Sequence, residues 1–279
     1  MINFNGTLTE KPSFSAYNRA ILYGDAVFET VRCHAGKVFF WEDHYFRLMA
    51  SMRILRMEIP MEFTLENLEN ELLNTVKAEN LDKETSRIRL TVYRNEGGKY
   101  LPKDNSVGFY AFAERLENPF YILNEEDYEV ELYKDHYINA DLLSSLKTTN
   151  KITNVTGSIF AQENGFANCL LLNNNKTVVE ALQGNLFLVK GNLIKTPPLE
   201  EGCLRGIIRK QLIDIIEKLD NYTIEESLIS PFELQKADEL FITNTIMGIQ
   251  PITKYRKKKF ENKIAKDLLG KLNAKARLS

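Results

Sequence analysis

In the first part of the chain, segments whose hydrophobic positions recur with the period of a helix alternate with segments that have the pattern of a strand. The apolar run Val38–Trp41 predicts a short strand. Apolar residues then recur every three or four positions from Tyr45 to Leu55 and again from Leu65 to Val76, which predicts two amphipathic helices. The alternation in RIRLTVY (Arg87–Tyr93) predicts a half-buried strand.

A change in pattern divides the chain. After a further predicted strand at Val107–Glu114, the sequence becomes acidic and contains a proline. We therefore predict a small N-terminal domain at 1–114, a linker at 115–127 and a C-terminal domain at 128–279.

Strand and helix signals also alternate in the second part, which predicts the α+β class. The segment Ile152–Glu163 is helical in pattern, and Ser230, Pro231 and Glu233 form a helix-start signature. The basic run Arg256–Lys259 is interpreted as the solvated face of a lysine-rich terminal helix. Strands are predicted at Tyr128–Lys134, Cys169–Leu172, Val178–Ala181 and ELFITN, with a hairpin in NLFLVKGNLIKTPP that turns at Lys190–Asn192.

Composition excludes several classes of protein. The chain of 279 residues has 44% apolar and 27% charged residues with a net charge of −2, as in a globular protein that has no basic face for nucleic acid or membrane. The start MINFNGTLTE has no signal pattern, and the three cysteines (Cys33, Cys169 and Cys203) form no CxxC pair. We expect a cytoplasmic protein with reduced thiols.

One residue breaks the apolar pattern of the second part. Glu180 lies in TVVEALQGNLFLV, where an ionised and unpaired carboxylate would cost several kcal/mol if it were buried. Either Glu180 faces water or a cationic group pairs with it. No GxGxxG, GKS, HExxH or GxSxG motif offers another chemistry, and no metal site is predicted.

A lysine upstream suggests the cation. Lys147 in SSLKTTNK precedes a helical pattern. Pyridoxal phosphate (PLP) requires a lysine that holds it as a Schiff base, an acidic partner for its ring nitrogen and donors for its phosphate. The protonated pyridine of this cofactor would be the partner of Glu180.

Five blocks in order make the chain similar to the class IV aminotransferases, the fold-type IV PLP enzymes. These blocks are YGDAVFETVR with GKVFFWEDHYFRL, LKTTNK, VVEALQGNLFLVKGNLIKTPPL, LRGIIR and ADELFITNT. The resemblance implies a smaller N-terminal α/β domain, a larger C-terminal α/β domain that is β-barrel-like, and a homodimer that acts on a small amino substrate.

The resemblance also implies roles for individual residues. Lys147 would bind the cofactor covalently and shuttle the proton, and Glu180 would pair with the ring nitrogen. The phosphate would be bound by Arg47, by the backbone N–H groups of Ile207 and Ile208, and by Thr245. The candidates for the substrate carboxylate are Arg32, Arg89, Arg94, Lys99 and Lys151.

Two local features favour one branch of the family, the 4-amino-4-deoxychorismate lyases, which release pyruvate and form 4-aminobenzoate for folate synthesis. Asn150-Lys151 is similar to the lyases' Asn followed by a basic residue, and YRNEGGKYLP is similar to their Arg-x-x-Gly-Gly-basic loop. The chain departs from the lyases at Thr148, where they often have His. The alternatives are an aminotransferase for branched-chain L-amino acids or D-amino acids, and a PLP-binding protein without efficient catalysis.

Overall fold

The computed structural model describes residues 1–278, which form two compact units. The first contains Met1–Pro119 with Lys147–Asn150, and the second contains Phe120–Leu146 with Lys151–Leu278. Both units combine helices with sheets, so the predicted α+β class is confirmed. In the described part of the chain, no helix is both long and apolar enough to cross a bilayer.

The first unit is an antiparallel sheet with helices. The sheet has six strands in the order β2-β1-β6-β5-β3-β4. Its elements are β1 (Ile2–Phe4), β2 (Thr7–Thr9), α1 (Arg19–Tyr23), β3 (Ala26–His34), β4 (Lys37–Val38), α2 (Trp41–Ile54), α3 (Leu65–Ala78), β5 (Thr85–Arg94) and β6 (Val107–Leu116).

The core of this unit forms where α2 and α3 contact the sheet. The two predicted amphipathic helices are present, and Thr64 caps α3 by accepting a hydrogen bond from the Asn67 N–H. Their apolar faces pack in one cluster with residues of β3 and β5, such as Val31 and Ile88, which lie directly opposite each other and are fully buried.

The predicted strand at Val38–Trp41 is shorter in the structure. Strand β4 ends at Val38, and Trp41 already begins α2. Phe40 has a φ of 55°, which turns the chain out of the sheet. An apolar run alone does not predict such a turn, because the left-handed conformation is uncommon for a bulky residue.

The segment Lys147–Asn150 belongs to the first unit, whereas the sequence assigned it to a C-terminal domain. Its backbone pairs with β3, with the Phe28 N–H donating to the Lys147 carbonyl at 2.9 Å and the Thr149 N–H to the Ala26 carbonyl at 3.0 Å. Strand β4 pairs only with the end of β3 at Cys33–His34, so it leaves this part of the strand edge to the lysine segment.

The second unit contains two five-stranded sheets, in the orders β12-β11-β10-β13-β14 and β16-β15-β7-β8-β9. Its elements are β7 (Glu129–Ile138), α4 (Ile152–Glu163), β8 (Asn168–Asn173), β9 (Val178–Ala181), β10 (Asn185–Lys190), β11 (Leu193–Thr196), a short 3-10 helix (Leu199–Glu201), α5 (Ile207–Ile216), β12 (Thr223–Glu226), α6 (Pro231–Leu234), β13 (Glu239–Asn244), β14 (Gly248–Ile252), β15 (Lys254–Tyr255), β16 (Lys258–Lys259) and α7 (Lys263–Leu278).

A shared apolar core joins the two sheets of this unit. Val178 of β9, Leu186 of β10 and Ile242 of β13 are fully buried in one cluster. A tight turn with an Ala181–Gly184 bridge carries the chain from β9 in one sheet to β10 in the other. This turn brings the region around Glu180 close to the start of β10.

Several predicted elements of the second unit are confirmed. Helix α4 has the predicted bounds, Ser230 and Glu233 form the capping box of α6, and Gly191 adopts a φ of 57° in the turn after β10. The interpretation of Arg256–Lys259 as a helical face is wrong. These residues form the hairpin of β15 and β16, and the terminal helix begins at Lys263.

A glycine at the start of β14 provides a test of the packing. Gly248 has a φ of +71°, and a Cβ there would lie 2.6 Å from the Tyr121 ring. We expect Gly248→Ala to lower the free energy of unfolding by more than about 1 kcal/mol, because both backbone strain and overlap oppose it. Urea unfolding of the purified variant measures this change.

Gly270 in α7 is the matched control, because no atom lies within 4 Å of the position that a Cβ would occupy there. Alanine replaces a helical glycine at this position, and we expect Gly270→Ala to raise stability by about 0.5–1 kcal/mol. Equal effects of the two substitutions would contradict the packing described at Gly248.

Candidate active site

Lys147 lies beside an aromatic ring of strand β3. The lysine is half-buried, and its Nζ atom lies 4.5 Å from the centroid of the Phe28 ring. The guanidinium carbon of Arg89 lies 3.7 Å from the same centroid. Phe28 therefore has two basic side chains within the distance of a cation–π contact.

Next to Phe28, strand β3 carries a buried carboxylate. Glu29 accepts a hydrogen bond from Arg47 Nε at 2.8 Å through Oε1 and another from Arg47 Nη2 through Oε2. His44 Nδ1 lies 2.6 Å from Oε2. The two partners are three residues apart on α2, so one face of that helix presents both to the strand.

The charges of this cluster hold Glu29 ionised. Burial acts to raise the pKa of Glu29, but the charge of Arg47 and the hydrogen bonds from Arg47 and His44 outweigh it and bring the pKa to about 2. Because Glu29 is ionised, it accepts a hydrogen bond from His44 Nδ1–H. The lone pair of His44 is then on Nε2, a buried atom with no hydrogen-bond partner in the described residues.

Burial also determines the charge of His44. It lowers the pKa of His44 from the usual value, Glu29 opposes this effect, and Arg47 and Lys147 add to it. The imidazole is therefore neutral near pH 7. Glu29 and Arg47 form a charged pair, with His44 as a neutral donor on one side of it.

In the second unit, Glu180 on β9 meets two donors. Its Oε2 atom accepts a hydrogen bond from the Leu204 N–H at 3.0 Å and from Asn185 Nδ2 at 3.3 Å. Glu180 is half-buried. The two donors stabilise a carboxylate in an otherwise apolar stretch, so the residue is not a simple exposed strand position.

The N terminus of helix α5 lies in the same unit. Ile207 and Ile208 are its first two residues, and Gly206 at the N-cap supplies no side-chain acceptor. By their position, the N–H groups of both isoleucines have no acceptor within the helix. Such a helix start is suited to an anion, because its backbone donors and dipole point toward it.

Thr245 lies in the turn between β13 and β14. Asn244 fixes this turn, since its Oδ1 accepts hydrogen bonds from the Ile246 and Met247 N–H groups at 2.9 Å each. The nearby Thr243 hydroxyl is buried without a hydrogen-bond partner in residues 1–278. A phosphorylated cofactor would bring acceptor oxygens for the Thr243 hydroxyl and for the N–H groups at the start of α5. The same residues contain no cluster of His, Cys, Asp or Glu suited to a metal ion.

The comparison with known proteins adds the family. A model of the class IV aminotransferases matches residues 26–255. The chain belongs to this family. Membership confirms the resemblance found in the sequence and, with it, PLP as the cofactor of the family.

Three curated relatives illustrate the range of the family. A putative branched-chain-amino-acid aminotransferase of Methanocaldococcus jannaschii is 30% identical over 98% of this chain and 94% of its own length. A D-alanine aminotransferase of Listeria monocytogenes is 28% identical over 91% and 86%. An aminodeoxychorismate lyase of Vibrio harveyi is 24% identical over 85% of each chain.

Solved structures confirm the fold. The branched-chain aminotransferase of Thermoproteus uzoniensis with norvaline has a TM-score of 0.86 and 25% identity, covering 97% of this chain and 92% of that one. The branched-chain amino acid aminotransferase of Thermobaculum terrenum in its PLP form has a TM-score of 0.83 and 23% identity, covering 96% and 91%.

In this member of the class IV family, Arg94 has the contacts of a structural residue. It is buried and donates from Nε to Asp25 at 2.9 Å, and from its Nη atoms to the side chain of Asn105 at 2.6 Å and the Leu55 carbonyl at 2.6 Å. Arg19 donates to the same Asp25 oxygen at 2.8 Å. The network stabilises the base of the β5–β6 loop.

The Gly-Gly loop itself is held by Arg19. Its Nη1 donates to the carbonyls of Gly97 at 3.2 Å and Lys99 at 2.5 Å, while the Lys99 side chain is exposed. Gly98 has a φ of +75° and no room for a Cβ, which would lie 2.2 Å from the Leu101 carbonyl. The glycines are therefore explained by the tight turn.

The other two candidates for the substrate carboxylate have different surroundings. Arg32 is buried in β3 and donates from Nη2 to the Asn118 carbonyl. Lys151 is the half-buried N-cap residue of α4. Of the candidates, Arg89 lies over the Phe28 ring beside Lys147.

Sequence reasoning missed His44 and Asn185. The spacing of His44 and Arg47 on a predicted helix, with an acidic residue on the preceding strand, could have signalled the cluster. Asn185 gave no signal of its own, because its partner Leu204 contributes only backbone atoms.

The cluster predicts a pH dependence of stability. The pKa of Glu29 is about 2 in the folded protein against an ordinary 4.5, so its stabilising contribution is complete above pH 4.5 and is lost as the pH falls toward 2. A shift of this size corresponds to about 3 kcal/mol. We expect the stability difference between the wild-type protein and Glu29→Gln to narrow as the pH falls from 7 to 3.

Urea unfolding at several pH values measures this difference. Glu114→Gln is the control, because Glu114 pairs with Arg87 at the surface and is 56% exposed. It should change stability little at any pH. A difference for Glu29→Gln that does not vary between pH 7 and 3 would contradict the assigned charge state.

Proposed function

We propose that this class IV family member is a PLP-dependent aminotransferase that takes the amino group of an α-amino acid. The observation that carries the proposal is the pair of cations at Phe28, with Lys147 at 4.5 Å and Arg89 at 3.7 Å from the ring centroid. An amine for the cofactor and a guanidinium for a carboxylate then lie in one local group.

Each predicted cofactor residue fits a part of PLP. Lys147 provides the amine that binds the aldehyde, and Glu180 provides a fixed carboxylate for the ring nitrogen. The resemblance implies that Arg47, the N–H groups of Ile207 and Ile208, and Thr245 would bind the phosphate. When bound, PLP supplies an electron sink for the negative charge that develops on the substrate carbon.

The chain's own residues then carry out three tasks. Lys147 Nζ accepts the proton from the substrate carbon and returns it, which requires a neutral amine at that step. Glu180 keeps the ring nitrogen protonated, since Leu204 and Asn185 hold its Oε2 atom. Glu29 aligns Arg47 through its Nε and Nη2 atoms.

Arg89 is the proposed ligand of the substrate carboxylate. Burial lowers the pKa of Arg89, and in residues 1–278 it has no carboxylate partner, with Thr91 Oγ1 as an acceptor at 3.4 Å. A partly desolvated guanidinium gains more from a bidentate carboxylate than an exposed one does. The α-carboxylate of an amino acid fits this requirement.

The choice of an aminotransferase over the lyase depends on Arg94. The loop that favoured the lyase in the sequence offers Arg94 to a second substrate carboxylate, but Arg94 already donates to Asp25, Leu55 and Asn105. A monocarboxylate amino acid requires only one such group. The relative from M. jannaschii also supports an aminotransferase.

The lyase is the second candidate. Asn150-Lys151 and the relative from V. harveyi favour 4-amino-4-deoxychorismate as the substrate, with pyruvate and 4-aminobenzoate as products. Both reactions begin with proton removal by Lys147. They differ in whether a keto acid is formed from the amino donor.

The homodimer and the cytoplasmic location stay predictions. An exposed apolar surface supports the dimer, because Ile21 and Leu22 of α1 lie near Tyr23, which contacts Tyr100 with a centroid distance of 5.7 Å. Tyr100 is 90% exposed. A second copy of the chain would cover this exposed apolar surface.

The visible spectrum of the PLP-loaded protein tests the reaction. The protein is mixed separately with glutamate, leucine and D-alanine, without any keto acid. We expect one of these donors to bleach the visible band and release its keto acid. A band that survives all three, together with pyruvate release from aminodeoxychorismate, would replace the aminotransferase by the lyase.

Arg89→Leu tests the carboxylate site. We expect it to raise KM for the amino donor by about tenfold to a hundredfold, as the loss of a charge-assisted pair does. Arg87→Leu is the matched control on the same strand, because Arg87 pairs with exposed Glu114. If both variants have the KM of the wild-type protein, Arg89 does not bind the substrate.

A further inference from the structure

We propose that Asn185 is a positioning residue that fixes the Glu180 carboxylate and ties it to the segment that begins helix α5. The inference rests on the proposed PLP function and adds a residue to it. It concerns only residues of the second unit.

Asn185 is the first residue of β10 and is 3% exposed. Its side-chain Nδ2 atom makes two contacts, one to Glu180 Oε2 at 3.3 Å and one to the Leu204 carbonyl at 2.8 Å. An amide nitrogen has two protons, so both contacts can be hydrogen bonds at the same time. One buried side chain therefore joins β9 to the chain before α5.

Leu204 is hydrogen-bonded to both Glu180 and Asn185. Its N–H donates to Glu180 Oε2 at 3.0 Å, and its carbonyl accepts from Asn185. The same carbonyl accepts the Gly206 N–H at 2.8 Å. Glu180, Asn185 and Leu204 thus constrain one another, and Gly206 continues directly into the first turn of α5.

The arrangement has a consequence for the carboxylate. Both donors contact Oε2, so they restrict the rotation of the Glu180 side chain. A carboxylate fixed in place is what a protonated pyridine nitrogen requires. Truncation of Asn185 removes one of these donors and leaves a less restricted side chain.

The sequence at position 206 is explained by the same contact. A Cβ on Gly206 would lie 1.9 Å from Asn185 Oδ1. Its φ is −71°, which any residue can adopt, so the backbone itself does not require glycine. Glycine is needed there because the Asn185 amide lies against it, and a methyl group would displace the amide.

The direct test is the protonation of the cofactor ring. PLP labelled with ¹⁵N in the ring is bound to the wild-type protein and to Asn185→Ala, and the ring-nitrogen NMR signal is followed against pH. We expect the signal of the variant to move toward the neutral-pyridine position at a pH lower by about one unit, and its PLP dissociation constant to rise about tenfold.

Three further variants distinguish positioning from simple stability. Asn185→Asp keeps the shape of the side chain but puts a carboxylate beside Glu180, so we expect a larger effect on the NMR signal. Asn168→Ala removes another buried asparagine, which contacts Tyr128 and the β8 backbone, and should leave the signal unchanged. In a Glu180→Gln background, Asn185→Ala should have almost no further effect on the signal.

The outcomes separate this inference from the proposed function. A wild-type protein that binds no labelled PLP would overturn the proposed function itself. A wild-type protein with a protonated ring and an identical signal in Asn185→Ala and Asn185→Asp would overturn only the role of Asn185. If Asn185→Ala does not fold, Asn185→Asp and Gly206→Ala test the same role through the ring-nitrogen NMR signal. The first replaces the Asn185 amide, and the second displaces it with a methyl group.

Discussion

Backbone hydrogen bonds between the lysine segment and strand β3 are the interaction on which the candidate site of the first unit depends. The Phe28 N–H and the Thr149 N–H fix the main chain on both sides of Thr148. Main-chain pairing of this kind is independent of the side chain that it presents. These backbone bonds therefore place Lys147 beside the ring of Phe28, the residue before the buried Glu29. They do not involve the amine of Lys147.

In the second unit, a carboxylate lies on an otherwise apolar strand. Glu180 accepts hydrogen bonds from a backbone N–H and an amide, and neither donor brings a positive charge. In the first unit, Glu29 is neutralised by Arg47, and its pKa falls to about 2. Glu29 thus has a guanidinium at hydrogen-bond distance, and the Oε2 atom of Glu180 is oriented by a backbone N–H and an amide. An oriented carboxylate suits a cationic ligand.

Local sequence patterns predicted much of the fold and only part of the site. Helix α4 and the capping box at Ser230 depend on neighbouring residues, so the sequence predicted them correctly. The sequence did not predict that Lys147–Asn150 belongs to the first unit, because this depends on pairing with a strand that is distant in sequence. It did not predict the turn at Phe40 either, because a bulky residue gives no signal of a φ of 55°. In the sequence, Arg94 was a candidate for the substrate carboxylate, because its actual partners, such as Asp25, are distant in sequence. Lys147 and Glu180 were predicted from the order of motifs, whereas Asn185 required coordinates.

Chemical reduction of the PLP-loaded protein with borohydride, followed by peptide mapping, tests directly whether Lys147 holds the cofactor. Reduction makes the bond between the cofactor and its lysine permanent, so the modified residue can be identified by mass spectrometry. We expect the cofactor on Lys147, and we expect Lys147→Ala to abolish the modification while Lys151→Ala retains it. Modification of Lys151 or of another lysine in its place, or no modification at all, would show that Lys147 does not bind the cofactor.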